Sequence, residues 1–184
     1  MQPVTPPTDG DLIRLMMAGN QEAFGAIYER WGSSVYRFAL HMSGDHHIAE
    51  NVTQDTFMTF VRRPVLFDAT RGPLVSWLLG IARNMTRRAL GAAADEDALD
   101  ESTDLASPSD ILQDLTRRET IDAVRQAVVS LPPAYREVIV LCDLQEIDYR
   151  DAAALLECPV GTVRSRLHRA RTMLMAKLQT RCLV

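Results

Sequence analysis

Apolar residues recur every three or four positions along most of this chain, which is the period of one face of an α-helix. Turn signals and prolines divide the pattern into separate segments. We predict helices over the approximate ranges 9–17, 21–42, 46–63, 74–90, 115–131, 134–144, 148–156 and 161–180. The expected fold is all-α, with two small helical domains at 9–91 and 115–184. A disordered lead at 1–8 precedes them, and a flexible acidic linker at 92–114 joins them.

The last two predicted helices form a helix-turn-helix. The sequence of 148–178 is DYRDAAALLECPVGTVRSRLHRARTMLMAKL. Asp148 can cap the first helix, with Asp151 placed as in a capping box. Pro159 breaks the pattern and suits the first turn of a new helix, where its missing N–H costs nothing.

The second of these helices has two different faces. Its apolar stripe consists of Val163, Leu167, Ala170, Leu174 and Leu178. The opposite face carries Arg164, Ser165, His168, Arg169 and Thr172. Such a face fits the recognition helix of a DNA-binding protein. Charge alone leaves open a solvated helix, or a basic helix for a membrane surface or an acidic protein. The serine and histidine among the arginines, together with the capped helix before them, favour DNA.

The overall charge of this 184-residue chain is −4, which by itself argues against a nucleic-acid partner. The charges are unevenly distributed, however: the net charge is +1 over 1–92, −8 over 93–114 and +3 over 115–184. The molecule is therefore basic outside the acidic stretch. The simplest interpretation of that stretch is a solvated, flexible linker. An acidic segment can also lie in a basic channel of a partner.

Nothing in the sequence indicates a metal site, a cofactor or catalysis. The three cysteines lack a CxxC spacing, and the pair His46–His47 has no partnering carboxylate pattern. We find no nucleophile elbow and no glycine-rich phosphate loop. Because no catalytic pattern is found, we expect a protein that is not an enzyme. The chain has neither a signal peptide nor an apolar run of membrane-spanning length, so we expect it to be cytoplasmic.

The 74–90 helix carries a second polar stripe, which suits contact with a nucleic-acid backbone and a base. It consists of Ser76, Gly80, Arg83 and Arg87, with Asn84 at its edge. A solvated helix side is the alternative. No aromatic residue falls on this stripe, so a nucleic acid bound here should gain little from base stacking.

The 46–63 helix is apolar over more than one face, which two interpretations explain equally well. It is either a central helix of a small bundle or a helix that also meets a partner protein. On the second interpretation, Glu50, Asn51, Gln54 and Asp55 flank the partner surface.

Three segments together resemble the extracytoplasmic-function (ECF) sigma factors, the small group of the bacterial sigma-70 family. They are AENVTQDTFMTFV at 49–61, WLLGIARNMTRR at 77–88 and CPVGTVRSRLHRAR at 158–171. The resemblance implies a sigma region 2 domain, a sigma region 4 domain and a role in promoter-specific transcription initiation, within a stress or environmental response. It implies core RNA polymerase, promoter DNA and an anti-sigma factor as partners. Because no aromatic residue falls on the polar stripe of the 74–90 helix, strand opening should gain little from base stacking, and we expect initiation only at promoters that match the preferred elements closely.

The resemblance also implies a role for each candidate residue. The minus-thirty-five element would be read by Thr162, Arg164, Ser165, His168, Arg169 and Arg171. The minus-ten element would be read by Asp68, Thr70, Arg71, Ser76, Arg83, Asn84 and Arg87, the first three in a loop that forms a pocket for a flipped base. The clamp helices of the largest polymerase subunit would bind Glu50, Asn51, Gln54, Asp55 and Met58. The second domain would meet the flap of the second-largest subunit. Asn51 departs from the family, which has an acid there.

Two other classes of protein share part of this pattern. A stand-alone DNA-binding regulator would also have the helix-turn-helix, but it would be expected to dimerise and would not need the 74–90 helix. A structural helical adaptor would leave two arginine-rich faces unexplained.

Overall fold

The computed structural model describes residues 6–97 and 112–181, with side chains described over 6–92 and 121–179. Within these ranges the chain contains no strand, and the all-α prediction is confirmed. The helices are α1 (Asp9–Met17), α2 (Gln21–Ser43), α3 (His46–Arg62), α4 (Leu74–Asp97), α5 (Leu112–Val129), α6 (Pro133–Ile139), α7 (Tyr149–Leu155) and α8 (Val160–Arg181). Two short 3-10 turns, Pro64–Leu66 and Ala69–Arg71, lie between α3 and α4.

The first domain is a bundle of α1 to α4 around one apolar core. Its largest fully buried side chains are Ile27, Val35, Phe38, Phe60, Leu74, Leu78 and Leu79. Side-chain caps begin three of the helices: Thr8 and Asp11 form a capping box for α1, Asn20 caps α2, and Asp45 caps α3. These caps satisfy backbone N–H groups that have no partner within a helix.

The connection from α2 to α3 is a tight turn at Gly44. This residue has φ +79°, in the left-handed region where glycine is favoured. Helix α2 continues unbroken to Ser43, which agrees with its predicted end near 42.

The second domain contains α5 to α8, and α7 with α8 forms the predicted helix-turn-helix. Asp148 caps α7 by accepting the N–H of Arg150 at 2.8 Å. At the end of α7, the N–H of Cys158 donates a hydrogen bond to the carbonyl of Ala153 at 3.0 Å, and Glu157 has φ 52°. This is the Schellman arrangement, with glutamate where glycine is usual. The turn directs the chain into α8.

Two helices differ from the prediction. The end of α4 is at Asp97 and not near 90, because 91–94 is Gly-Ala-Ala-Ala and alanine has the highest helix propensity. The helix predicted at 134–144 changes at Val140–Leu144 into a π-helical turn. Residues 98–111, most of the predicted linker, and 1–5, most of the predicted lead, lie outside the described residues.

The two domains pack against each other. Helix α7 lies against α4, and α5 lies against α2. Arg136 donates a hydrogen bond to the carbonyl of Met42, at the end of α2. Val129 packs on Gly44, where a Cβ would lie 3.2 Å from its side chain. The second domain therefore covers one face of α4.

Candidate nucleic-acid and protein interfaces

The polar face of α8 is open to solvent. Arg164, Ser165, His168, Arg169 and Thr172 are all exposed. On the opposite face Val163, Leu167 and Ala170 are at most 2% exposed. Burial of one stripe against α5, α6 and α7 orients the other stripe outward, so the helix presents arginine N–H groups and polar donors on one accessible face.

Arg171 is on the same helix, but its guanidinium already has a partner. Its Nη2 and Nε donate to the two carboxylate oxygens of Asp143 at 2.6 and 2.9 Å. The hydrogen bonds to Asp143 raise the pKa of Arg171. In this structure the side chain ties α8 to the segment after α6. Thr162, at the start of α8, is only half-buried.

The polar stripe of α4 faces α7 across a cleft of about 480 Å³. Ser76, Arg83 and Asn84 line this cleft. Arg83 is not available there, because its Nε and Nη2 donate to Glu137 at 2.8 and 3.2 Å. Ser76 donates to Asp151 at 3.5 Å. Arg87, further along α4, is exposed.

The loop before α4 is organised by a local hydrogen-bonded turn. Asp68 accepts from the N–H of Thr70 at 2.9 Å and from its hydroxyl at 2.7 Å. These bonds, with the nearby charge of Arg71, lower the pKa of Asp68. Asp68 and Arg71 line the same cleft as Asn84, and all three loop residues are exposed. The loop and the α4 stripe therefore form one continuous surface.

Aromatic rings border this surface, although none falls on the polar stripe of α4 itself. Trp77 and Phe67 both line the cleft and pack edge to face, with ring centroids 6.0 Å apart. Trp77 also contacts Phe60 of the core at 6.0 Å. An indole is large enough to pack on the core and still border the polar stripe.

The exposed side of α3 borders an apolar groove of about 720 Å³ between α2 and α3. Its floor contains Phe24, Tyr28 and Phe57, with the rings of Tyr28 and Phe57 4.8 Å apart. The predicted residues Glu50, Gln54 and Met58 line it, while Asn51 and Asp55 are exposed beside them. Met58 is 43% exposed although it is apolar.

Sequence reasoning missed two features of these surfaces. One is Glu137, which is 8% exposed and holds Arg83. The sequence places Glu137 directly before the apolar run at 138–141, so its carboxylate could be expected to be buried. A buried carboxylate requires a partner. The other is the contribution of Phe24 and Tyr28 to the groove between α2 and α3. The 46% exposure of Tyr28 could not be read from spacing.

Within 6–97 and 112–181, no group of three or more histidine, cysteine or acidic side chains is arranged to hold a metal ion. No helix in the described ranges is both long and apolar enough to cross a membrane.

Two family models match the chain, one over each domain. Sigma-70 region 2 matches residues 27–95, and Sigma-70, region 4 matches residues 121–174. The fold and these regions define a transcription initiation factor of the sigma-70 class. The chain is 30% identical over 190 residues to the ECF RNA polymerase sigma-E factor of Salmonella typhimurium, a match that covers 94% of this chain and 95% of that protein. It belongs to the ECF family of RNA polymerase sigma factors.

Solved structures of similar proteins support the same assignment. CnrH, in its complex with the cytosolic domain of CnrY, is 28% identical with a TM-score of 0.71, covering 94% of this chain and 97% of CnrH. The sigma factor RpoE of Bartonella quintana, in complex with the anti-sigma factor NepR, is 27% identical with a TM-score of 0.68, covering 85% and 96%. Each sigma region matches less than half of the chain. TM-scores of 0.71 and 0.68 therefore require that the two domains have similar relative positions in this chain and in those structures.

Proposed function

We propose that this sigma factor binds core RNA polymerase through its first domain and reads one promoter element with each domain. The observation that carries the proposal is the accessible face of α8, in a chain whose two domains match the two sigma-70 regions. A recognition helix must present its polar side chains outward from a buried stripe, and α8 does so.

The minus-thirty-five element is the proposed ligand of α8. Arg164 and Arg169 are suited to guanine edges or phosphates, and Ser165 and His168 to base or backbone hydrogen bonds. Thr162 lies at the start of the same helix. Arg171 contributes indirectly, because its pair with Asp143 fixes the position of α8.

The minus-ten element is the proposed ligand of the cleft surface on α4 and its preceding loop. Asn84 and Ser76 supply hydrogen bonds to a base, and Arg83, Arg71 and Arg87 supply positive charge near phosphates. Asp68 and Thr70 hold the loop in shape.

Trp77 offers a ring against which a base of this element could stack. Stacking on an aromatic residue contributes about 1–3 kcal/mol per base. If a base stacks on Trp77, strand opening gains this free energy, and initiation should extend to promoters that match the preferred elements less closely.

Core polymerase is the proposed partner of the groove between α2 and α3. The groove offers aromatic and methionine surface beside the carboxylate of Glu50 and the amide of Gln54. A partner helix with apolar residues and basic flanks fits this chemistry. Asn51 and Asp55 would border the contact, and the second domain would meet the flap of the second-largest subunit.

An anti-sigma factor is the proposed regulator. The similar RpoE of Bartonella quintana was solved with one. We infer that a comparable protein controls this chain by covering the polymerase and promoter surfaces.

The test is run-off transcription with purified core polymerase on a promoter library. The wild type is compared with Arg164→Ala/Arg169→Ala and with Arg14→Ala, a control whose side chain is 79% exposed on α1. We expect transcription to start only when the protein is added. Initiation should be unchanged with Arg14→Ala and strongly reduced with Arg164→Ala/Arg169→Ala. No initiation, together with polymerase-independent binding to a palindrome, would instead identify a stand-alone regulator.

A further inference from the structure

Two neighbouring aliphatic side chains extend into solvent from the loop between α3 and α4. Val65 is 72% exposed and Leu66 is 58% exposed. Within the described part of the chain they are two of the three most exposed large hydrophobic side chains. A single exposed apolar residue is ordinary on a protein surface, but two adjacent ones form one continuous apolar tip. We refer to Val65 and Leu66 as the aliphatic tip.

The aliphatic tip is held on a short, rigid turn. Pro64 begins the turn, and its ring fixes the backbone angle φ at that position. The N–H of Leu66 donates to the carbonyl of Arg63, and the N–H of Phe67 donates to the carbonyl of Pro64, both at 3.1 Å. Phe67 in turn packs on Trp77, with ring centroids 6.0 Å apart. The backbone therefore holds the tip in solvent between two anchored points, the end of α3 and the pair of rings.

The aliphatic tip lies at the edge of the proposed minus-ten surface. Leu66 lines the cleft together with Arg71 and Asn84. On the other side of the tip, Arg62 and Arg63 directly precede the turn, and both are exposed. The sequence of 62–67, RRPVLF, contains no acidic residue. Exposed arginines beside an apolar tip suit a partner that offers phosphates next to stacked, apolar ring faces, which is the chemistry of duplex DNA.

We propose that Val65 and Leu66 insert between stacked bases at the edge of the minus-ten element and so start the opening of the promoter strands. Proteins that deform a duplex insert apolar side chains such as leucine and isoleucine between base steps, which partly unstacks them. Arg62 and Arg63 hold the flanking phosphates during this step. The inference rests on the proposed minus-ten function of α4 and its preceding loop.

The cleft beside the tip can receive a base that leaves the duplex. Leu66, Phe67 and Trp77 all line it, so an unpaired base passes from the aliphatic tip to an aromatic ring. The two contacts act on different states of the promoter. The tip acts on paired DNA, whereas Trp77 acts on a base that is already unpaired. Promoter DNA that is unpaired in advance therefore separates the role of the tip from every later step.

The test is run-off transcription with core polymerase on two templates, a fully paired promoter selected by the wild type and the same promoter with a preformed mismatch bubble over the minus-ten element. The variant is Val65→Ser/Leu66→Ser. We expect initiation on the paired template to fall about tenfold or more, because the free energy of unstacking is no longer offset. On the bubble template the variant should equal the wild type.

Two further variants serve as matched controls. Val65→Ile/Leu66→Met keeps an apolar tip and should initiate like the wild type on both templates. Leu15→Ser/Met17→Ser removes two apolar side chains of α1 that are 45% and 55% exposed, and it should also leave initiation unchanged. A loss in the α1 control as large as that in the tip variant would overturn the proposal.

A direct measurement follows strand opening by the fluorescence of 2-aminopurine placed in the minus-ten element, which rises when the base unstacks. Opening should be about tenfold slower with Val65→Ser/Leu66→Ser, while binding of the variant to core polymerase stays unchanged. Equal opening rates, or an equal loss of initiation on the bubble template, would overturn the proposal. Weakened binding to core polymerase would also overturn it, and would make the tip a polymerase contact. If the wild type initiates on neither template, the proposed sigma function itself is refuted, and this inference with it.

Discussion

The accessible face of α8 allows the proposed DNA recognition to be tested separately from stability within one helix. Arg164 and Arg169 are exposed and make no hydrogen bond or ion pair with the described residues, whereas Arg171 pairs with Asp143. Replacement of the first two by alanine should therefore leave folding intact and weaken promoter binding. Replacement of Arg171 should do mainly the opposite.

The expected magnitudes follow from these environments. An arginine that contacts a base edge contributes about 1–3 kcal/mol to discrimination, so loss of both should lower promoter affinity by about 30-fold or more. Exposed substitutions of this kind change stability by less than about 0.5 kcal/mol. The pair of Arg171 with Asp143 is 53% and 28% exposed, so water screens it and its loss should cost at most about 1 kcal/mol. In a domain of this size that is a fall in Tm of at most about 4–8 °C.

The assay measures binding of reconstituted holoenzyme to a promoter selected by the wild type, at two salt concentrations, alongside thermal unfolding. Phosphate contacts make affinity depend on salt, and base contacts less so. The reasoning is refuted if the Arg164→Ala/Arg169→Ala variant keeps full affinity while Arg171→Ala loses it at unchanged Tm. That result would assign promoter binding to Arg171 and not to Arg164 and Arg169.

Three further outcomes are expected. Burial, with the positive charges of Arg125 and Arg37, lowers the pKa of His41 from 6.5, so its contribution to stability is present above that pH and is lost as the pH falls below it. Tm should drop between about pH 7.5 and about pH 5.5, and less so in His41→Gln; an equal drop in both would contradict this. Burial raises the pKa of Cys142 to about 11, so its alkylation at neutral pH should be far slower than that of glutathione by mass spectrometry, and a comparable rate would be the opposite result. Met58→Ser, at the groove, should weaken binding to core polymerase about tenfold at unchanged Tm, and unaltered binding would exclude Met58 from that contact.

Local features of this fold could be predicted because they depend on residues a few positions apart. The two faces of α8, the cap at Asp148 and the turn at Gly44 all follow from spacing within one or two turns of helix. The helical period gives the angle of each side chain around its own axis. It therefore identified Arg164 and Arg169 as outward-facing without any knowledge of the neighbouring helices.

The partners of the charged residues could not be predicted in this way. Arg83 and Glu137 are 54 positions apart, and Arg171 and Asp143 are 28 apart. Their pairing depends on how the helices pack, which spacing along one helix does not contain. The position of Trp77 in the cleft lining could not be predicted for a related reason, because helical angle describes the direction of Cβ and not the reach of a large ring.

An arginine stripe therefore predicts affinity for anionic groups but not which anion is bound, and α4 offers an internal comparison. Arg83 is paired with a carboxylate of the second domain, whereas Arg87, one turn later, is exposed with no described partner. If Arg87 contacts promoter DNA as proposed, Arg87→Ala should lower initiation and leave Tm unchanged, because its side chain is exposed. Arg83→Ala leaves the buried carboxylate of Glu137 without its ion-pair partner, so it should lower Tm. Thermal unfolding of the two variants tests this comparison. Equal Tm values would mean that this ion pair does not hold the domains together.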